Sequence, residues 1–147
     1  MRARDLMTAN PQVVTADEPV STAARIMRDL NVGCVPVVDD KAHMHLTGVL
    51  TDRDLVVRCM AERHQRDCRV ADHMTTAGLA TVDADADVAE VIRLMESNQV
   101  RRIQVLEGGR LAGIIAQADL ALKEGPLEPL MVEHLLERVS APAVPLA

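Results

Sequence analysis

The chain contains no phenylalanine, tyrosine or tryptophan in 147 residues. Any core must therefore be aliphatic, built from Val, Leu, Ile, Met and Ala, and a hydrophobic content of 48% is ample for one. The missing rings also remove the stacking platforms on which single-stranded nucleic acids are held. A basic face is lacking too: the net charge is -6 and the Lys and Arg residues are scattered, which argues against a nucleic-acid polymer as partner. No run approaches the ~20 apolar residues of a membrane span. The opening Met1-Arg2-Ala3-Arg4-Asp5 is charged with no apolar segment behind it, unlike a secretion signal. Cysteine is sparse and irregularly spaced (Cys34, Cys59, Cys68), which suits a reducing compartment better than a disulfide scaffold. No Ser/His/Asp or Cys/His arrangement has a persuasive setting, and there is no glycine-rich phosphate loop. The expectation is a soluble cytoplasmic protein that is not an enzyme and has no membrane partner.

What the chain does have is an internal repeat. Asp5-Leu6-Met7-Thr8 returns as Asp72-His73-Met74-Thr75, and Val20 to Met27 returns as Val88 to Met95. Gly48-Val49-Leu50-Thr51-Asp52-Arg53-Asp54-Leu55 returns as Gly113-Ile114-Ile115-Ala116-Gln117-Ala118-Asp119-Leu120. The spacing between copies is 67 at Asp5/Asp72, 68 at Val20/Val88 and 65 at Gly48/Gly113, so only small loops differ. The expected layout is a first copy over 1–62, a linker over 63–70, a second copy over 71–124, and a C-terminal helix and tail over 125–147. Units this small bury little surface alone, so the copies should pack on each other.

Both copies read in the same order. A short extended piece (Gln12 to Thr15; Leu79 to Val82) leads to an acidic helix start, with Asp17 as cap and Pro19 in the first turn of the first helix. Apolar residues then recur at helical period: Val20, Ala23, Ala24, Met27 and Leu30, against Val88, Val91, Ile92 and Met95. Two apolar runs follow as a hairpin: Cys34 to Val38 with Leu46 to Leu50, and Ile103 to Leu106 with Leu111 to Ile115, the second turned by Gly108-Gly109. A further helix opens at Thr51-Asp52 and at Gln117-Ala118. Leu127 to Val139 reads as an extra amphipathic helix, and Ser140 to Ala147 as a loose tail. The order strand, helix, strand, strand, helix, given twice, predicts an α/β (α+β) fold with helices covering small sheets.

Gly48 to Leu55 carries the chemistry. A strand ends, Thr51 falls at the cap of the next helix, and Asp54 follows three residues later. Helix-start amides and a Thr hydroxyl can receive a phosphate, and the carboxylate can accept from two adjacent ribose hydroxyls. The same spacing is also an ordinary capping box. Recurrence of Gly113 and Asp119 at matched positions favours the nucleotide reading.

The pattern Gly-apolar-apolar-Thr-x-x-Asp, with Val32 to Asp39 before it and Asp-Leu-Met-Thr at the start, resembles the CBS domain family. The second copy, with Asp72 to Thr75 and Val100-Arg101-Arg102-Ile103, resembles the partner repeat, and the likeness runs from about Asp5 to Lys123. It implies a tandem pair of β-α-β-β-α repeats packed through their sheets, binding AMP, ADP, ATP or S-adenosylmethionine in a cleft between repeats as a regulatory ligand. Stand-alone pairs of this size resemble the hypoxic-response type, which implies a stress or energy role. Carried over, Asp54 would hold the ribose, Thr51 the phosphate end, and Val35 and Pro36 the base, with Thr15 on the segment entering the cleft. In the second copy Asp119 matches the ribose position, and Arg101 and Arg102 match basic positions that meet phosphates. Ala116 and Gln104 depart from the pattern and remove a phosphate donor and part of a base wall, so one stronger site per chain is expected. Leu55, Val56, Cys59 and Met60, with Leu120 and Leu122, leave apolar surface for a homodimer. The alternatives are a scaffold protein with vestigial pockets, bound to some protein partner, and a redox or metal stress sensor.

Cys59, His64, Cys68 and His73 match no compact zinc spacing. His43 and His45 would point the same way if extended. Both sets are expected to be solvated linker and hairpin residues, so no metal site is expected and metal should be dispensable for stability.

Overall fold

The computed structural model describes residues 1–63 and 67–122. His64, the C-terminal helix expected over Leu127 to Val139 and the tail lie outside the described residues. The chain forms two compact units, and neither is one sequence repeat. Unit 2 is Pro11–Leu79 with Gly109–Leu111, apart from the undescribed residues 64–66; unit 1 combines Met1–Asn10, Ala80–Gly108 and the described residues from Ala112.

In unit 2, β2 (Val14–Thr15) pairs in parallel with β3 (Cys34–Val38), which pairs antiparallel with β4 (Leu46–Thr51), Val35 standing opposite Leu50. Helix α2 (Val20–Leu30) covers this sheet. Its buried stripe is narrower than expected: Val20 and Ala23 enter the core and Met27 packs beside them, whereas Ala24 and Leu30 are exposed. The expected Asp17 cap is also corrected. Pro19 is the N-cap and has no side-chain bond to give; Asp17 instead accepts from the Thr15 hydroxyl at 2.6 Å, a bond that holds its carboxyl below the usual range. The free amides of α2 find partners further along the chain, Val20 N donating to Cys68 O at 2.8 Å and Ser21 N to the Asp67 carboxylate.

Unit 1 repeats the plan with β5 (Thr81–Asp83), α5 (Val88–Asn98), β6 (Arg102–Glu107) and β7 (Arg110–Ala116), followed by α6 (Gln117–Leu122). Val88, Val91, Ile92 and Met95 are buried as their period predicts. Gly108 and Gly109 take φ of 57° and 80°, the left-handed conformation that a tight hairpin requires and a side chain resists.

Two short helices were not legible in advance: α1 (Ala3–Leu6) and α4 (Val70–His73). They are the two Asp-x-Met-Thr segments, and each serves the opposite copy. Leu6 is fully buried beside Val88, Met95, Ile103 and Ile115, and β1 (Thr8–Ala9) extends the sheet to the order β1-β7-β6-β5. Val70 is fully buried beside Val14, Val35 and Leu50, and Thr75 exchanges two backbone bonds with Val49. Gly48 and Gly113 sit under these crossings: a Cβ at Gly48 would lie 2.7 Å from Thr75 O, and one at Gly113 2.8 Å from Thr8 O. The recurring glycine is thus explained by close backbone approach.

The longer first hairpin turn is tied by its own carboxylates. Asp39 accepts from Asp40 N at 2.7 Å, His45 N at 2.9 Å and His45 Nδ1 at 2.8 Å. Burial opposes ionisation of Asp39, but these bonds prevail and hold its carboxyl at about 2. An unfolded Asp titrates near 3.9, so the folded value is depressed. The stability it contributes is present above about pH 4 and lost as pH falls toward about 2. The gap in urea midpoint between wild type and Asp39→Asn is therefore expected to be wider at pH 6 than at pH 2. An equal gap at both would rule out this bond set as its source.

Candidate functional site

The capping box read from the sequence is built. Helix α3 (Asp52–Asp54) starts from Thr51, whose Oγ1 accepts from Asp54 N at 3.1 Å while Thr51 N donates to Asp54 Oδ2 at 3.0 Å. The hydroxyl proton of Thr51 is not spent in this exchange and can still be given. Asp54 is only 8% exposed, and a buried carboxylate needs more than one partner. Thr75 Oγ1 supplies 3.3 Å bonds to both of its oxygens, and Arg58 Nε stands 3.7 Å from Oδ1. The bond to Oδ2 is structural, whereas the Oδ1 side is held only by long contacts that a pair of ribose hydroxyls could replace. The helical and nucleotide readings are therefore compatible in one residue.

Sequence reasoning missed Thr75 and Arg58. Thr75 was visible as half of a repeated Met-Thr pair, and Arg58 lies four residues after Asp54, a spacing that brings helical side chains together.

The other expected site residues divide between the units. In unit 2, Thr15 is half-buried and engaged with Asp17. Val35 has no exposed surface and lies in the core, because alternation along β3 turns Val35 and Val37 inward. Pro36, on the opposite face of the strand, is buried as well. In unit 1, Asp119 Oδ2 accepts from Ala116 N at 2.8 Å, half of the box, since Ala116 has no hydroxyl to return. Arg101 is exposed and Arg102 half-buried at the start of β6. The Arg101 carbonyl accepts from Gln117 N at 2.8 Å, as Gly33 O accepts from Asp52 N at 2.9 Å at the matched position. Gln104, in the place of Pro36, is 4% exposed and its Oε1 has no hydrogen-bond partner among the described residues.

After α3 the chain enters a π-helical segment, Leu55–Met60, in which Ala61 N donates to Val56 O. Such segments are rare and frequent at functional sites. Leu55 and Cys59 pack on the core, while Val56, Val57 and Met60 are exposed. Of the expected apolar surface only Val56 and Met60 are exposed, joined by Val57; Leu120 is buried in the unit 1 core at 1% exposure, and the Leu122 side chain lies outside the described residues.

The expectation for the Cys/His set needs correction. Cys68 and His73 are buried at 9% and 4% exposure, not solvated, because α4 docks into the unit 2 core. Ligand atoms of Cys59, Cys68 and His73 lie within 4.8 Å of one another. His43 and His45 do stack, with ring centroids 6.1 Å apart, but their Nδ1 atoms are held by Asp40 and Asp39.

The sequence profile described as the CBS domain matches residues 3–60 and 70–123. The chain is 43% identical over 123 residues to YlbB of Bacillus subtilis, covering 84% of this chain and 82% of that protein. It is 36% identical over 119 residues to Hypoxic response protein 1 of Mycobacterium tuberculosis, covering 81% and 82%. A crystal structure of Hypoxic Response Protein I with two coordinated zinc ions superposes with a TM-score of 0.74 at 32% identity, covering 85% of this chain and all of that one. CBSX2, solved in complex with AMP, superposes with a TM-score of 0.69 at 27% identity, covering 82% and 93%.

Proposed function

Because the chain belongs to the CBS domain family, we propose that it is a regulatory sensor in which Asp54 and Thr51 hold an adenosyl ligand: AMP, ADP, ATP or S-adenosylmethionine. The observation that carries this is the buried Asp54 carboxylate, committed on one oxygen and loosely held on the other, beside a Thr hydroxyl with a proton to give. Asp54 takes the ribose diol and Thr51 the phosphate end, and β3 at Val35 and Pro36 lines the base. CBSX2 gives a precedent for AMP on a related fold. Half the box is missing at Ala116, so Asp119 with Arg101 and Arg102 makes the weaker second site. Regulation rather than catalysis fits a family known as sensors, and likeness to a hypoxic response protein supports a role in stress or energy signalling. Titration calorimetry and thermal shift with each ligand test this reading. Affinity near micromolar, about 8 kcal/mol, is expected for at least one of them. No heat and no shift with any at millimolar concentration would leave a scaffold protein as the better account.

The same reading includes a homodimer. Val56, Val57 and Met60 are 55%, 47% and 70% exposed, an apolar group that a symmetric partner would cover. Light scattering at micromolar concentration should give twice the chain mass. A monomer there, or a dimer untouched by Val57→Glu with Met60→Glu, would exclude this surface.

A further inference from the structure

Cys59 comes from the π-helical segment, Cys68 from the irregular segment before α4, and His73 is the last residue of α4. We infer that these three side chains form a binding site for a divalent cation of the zinc class, with a fourth position that no described residue fills. Two thiolates and an imidazole are a donor set that zinc accepts with such a position left free. The spacing fits. Two sulfurs bound to one tetrahedral zinc at about 2.3 Å each lie about 3.8 Å apart, and Cys59 Sγ stands 4.0 Å from Cys68 Sγ. A disulfide would need about 2.05 Å, and none is formed. Charge fits as well: two thiolates cancel a divalent cation, so the bound site carries no net charge into a half-buried setting.

The donors are also held in place by bonds that have nothing to do with metal. Cys68 O takes the Val20 amide at 2.8 Å, Val70 N donates to Glu18 O at 2.9 Å, and Ala71 N donates to Ala16 O at 2.8 Å, fixing the segment that leads into α4 and presents Cys68 and His73. Arg58, one residue before Cys59, donates to the His73 carbonyl at 3.4 Å and so ties the π-helical segment to α4. Preorganised ligands lose little freedom when the ion arrives.

The test uses the full-length protein, stripped with a chelator under reducing conditions and titrated with cobalt(II), then with zinc(II). The chain has no aromatic residue, so the near-ultraviolet is clear for sulfur-to-cobalt charge-transfer bands. The expected result is about one cobalt per chain with thiolate bands, displaced by zinc, and a melting temperature several degrees higher with metal than without. Cys59→Ser, at a half-exposed position that should fold, is expected to weaken binding by more than about a hundredfold, since even outer partners of a metal site are worth 10–100-fold. His73→Gln should do the same, while His43→Ala with His45→Ala should leave cobalt affinity and the thiolate bands unchanged. Cobalt uptake without thiolate bands, full affinity in Cys59→Ser, or oxidation of Cys59 and Cys68 to a disulfide with no metal uptake would each overturn the proposal.

Discussion

Asp54→Ala is expected to weaken adenosyl binding by roughly tenfold to a hundredfold. The substitution removes charge-assisted bonds to the ribose diol, about 1.5 to 3 kcal/mol. It also removes half of the capping box, the bond from Thr51 N, and the partner of the Thr75 hydroxyl, so a stability loss of about 1 kcal/mol should accompany it. Asp54→Asn separates the two effects: it can keep the bond from Thr51 N but carries no charge, so stability should largely return while affinity does not. Asp119→Ala should cost less affinity, because its box is already half empty. Calorimetry on the three variants decides the matter. Equal losses at Asp54 and Asp119 would sink the asymmetry, and unchanged affinity in Asp54→Ala would remove the ribose role.

Leu6→Ala should destabilise the protein by about 2 to 5 kcal/mol, the range for truncating a fully buried leucine. For a domain whose whole stability is about 5 to 15 kcal/mol, that is a large share. The location of the damage is the sharper expectation. Leu6 belongs to the core of unit 1, so amide exchange should accelerate in α5, β6 and β7, far along the chain, while β3 and β4 keep their protection. Faster exchange in β3 and β4 alone would contradict the assignment of α1 to unit 1.

The periodic elements were legible because a residue's own neighbours decide them. Val88, Val91, Ile92 and Met95 repeat at helical spacing and are buried, and Gly108-Gly109 marks its hairpin by the one backbone shape the turn allows. Thr51 and Asp54 could be placed together for the same reason, since capping is a contact over three residues. What escaped depends on chain brought from elsewhere. Leu6 and Val70 look like the first residues of their own copies, and nothing local says that each fills the other's core. Asp17 looked like a cap because carbonyls arriving from Cys68 are invisible at Val20. Cys59, Cys68 and His73 follow no ligand spacing in sequence because two separate elements, not one loop, bring them together.

The scattered make-up of unit 1 bears on the order of assembly. Almost all of unit 2 is one continuous stretch, Pro11–Leu79, whereas unit 1 must join Met1–Asn10 to a segment starting at Ala80. Bringing ends together across a loop on the order of 70 residues costs about 4 kcal/mol of chain entropy before any contact is gained, and such distant pairings slow folding. During synthesis Met1–Asn10 have no core to enter until β7, about a hundred residues later, has been made. Once unit 2 has closed, the loop between Asn10 and Ala80 is already shortened, and α1 can find β7 at lower cost. Unit 2 is thus expected to form first, with Met1–Asn10 settling against β7 afterwards, and pulse-labelled refolding should show β3 and β4 protected before β6 and β7.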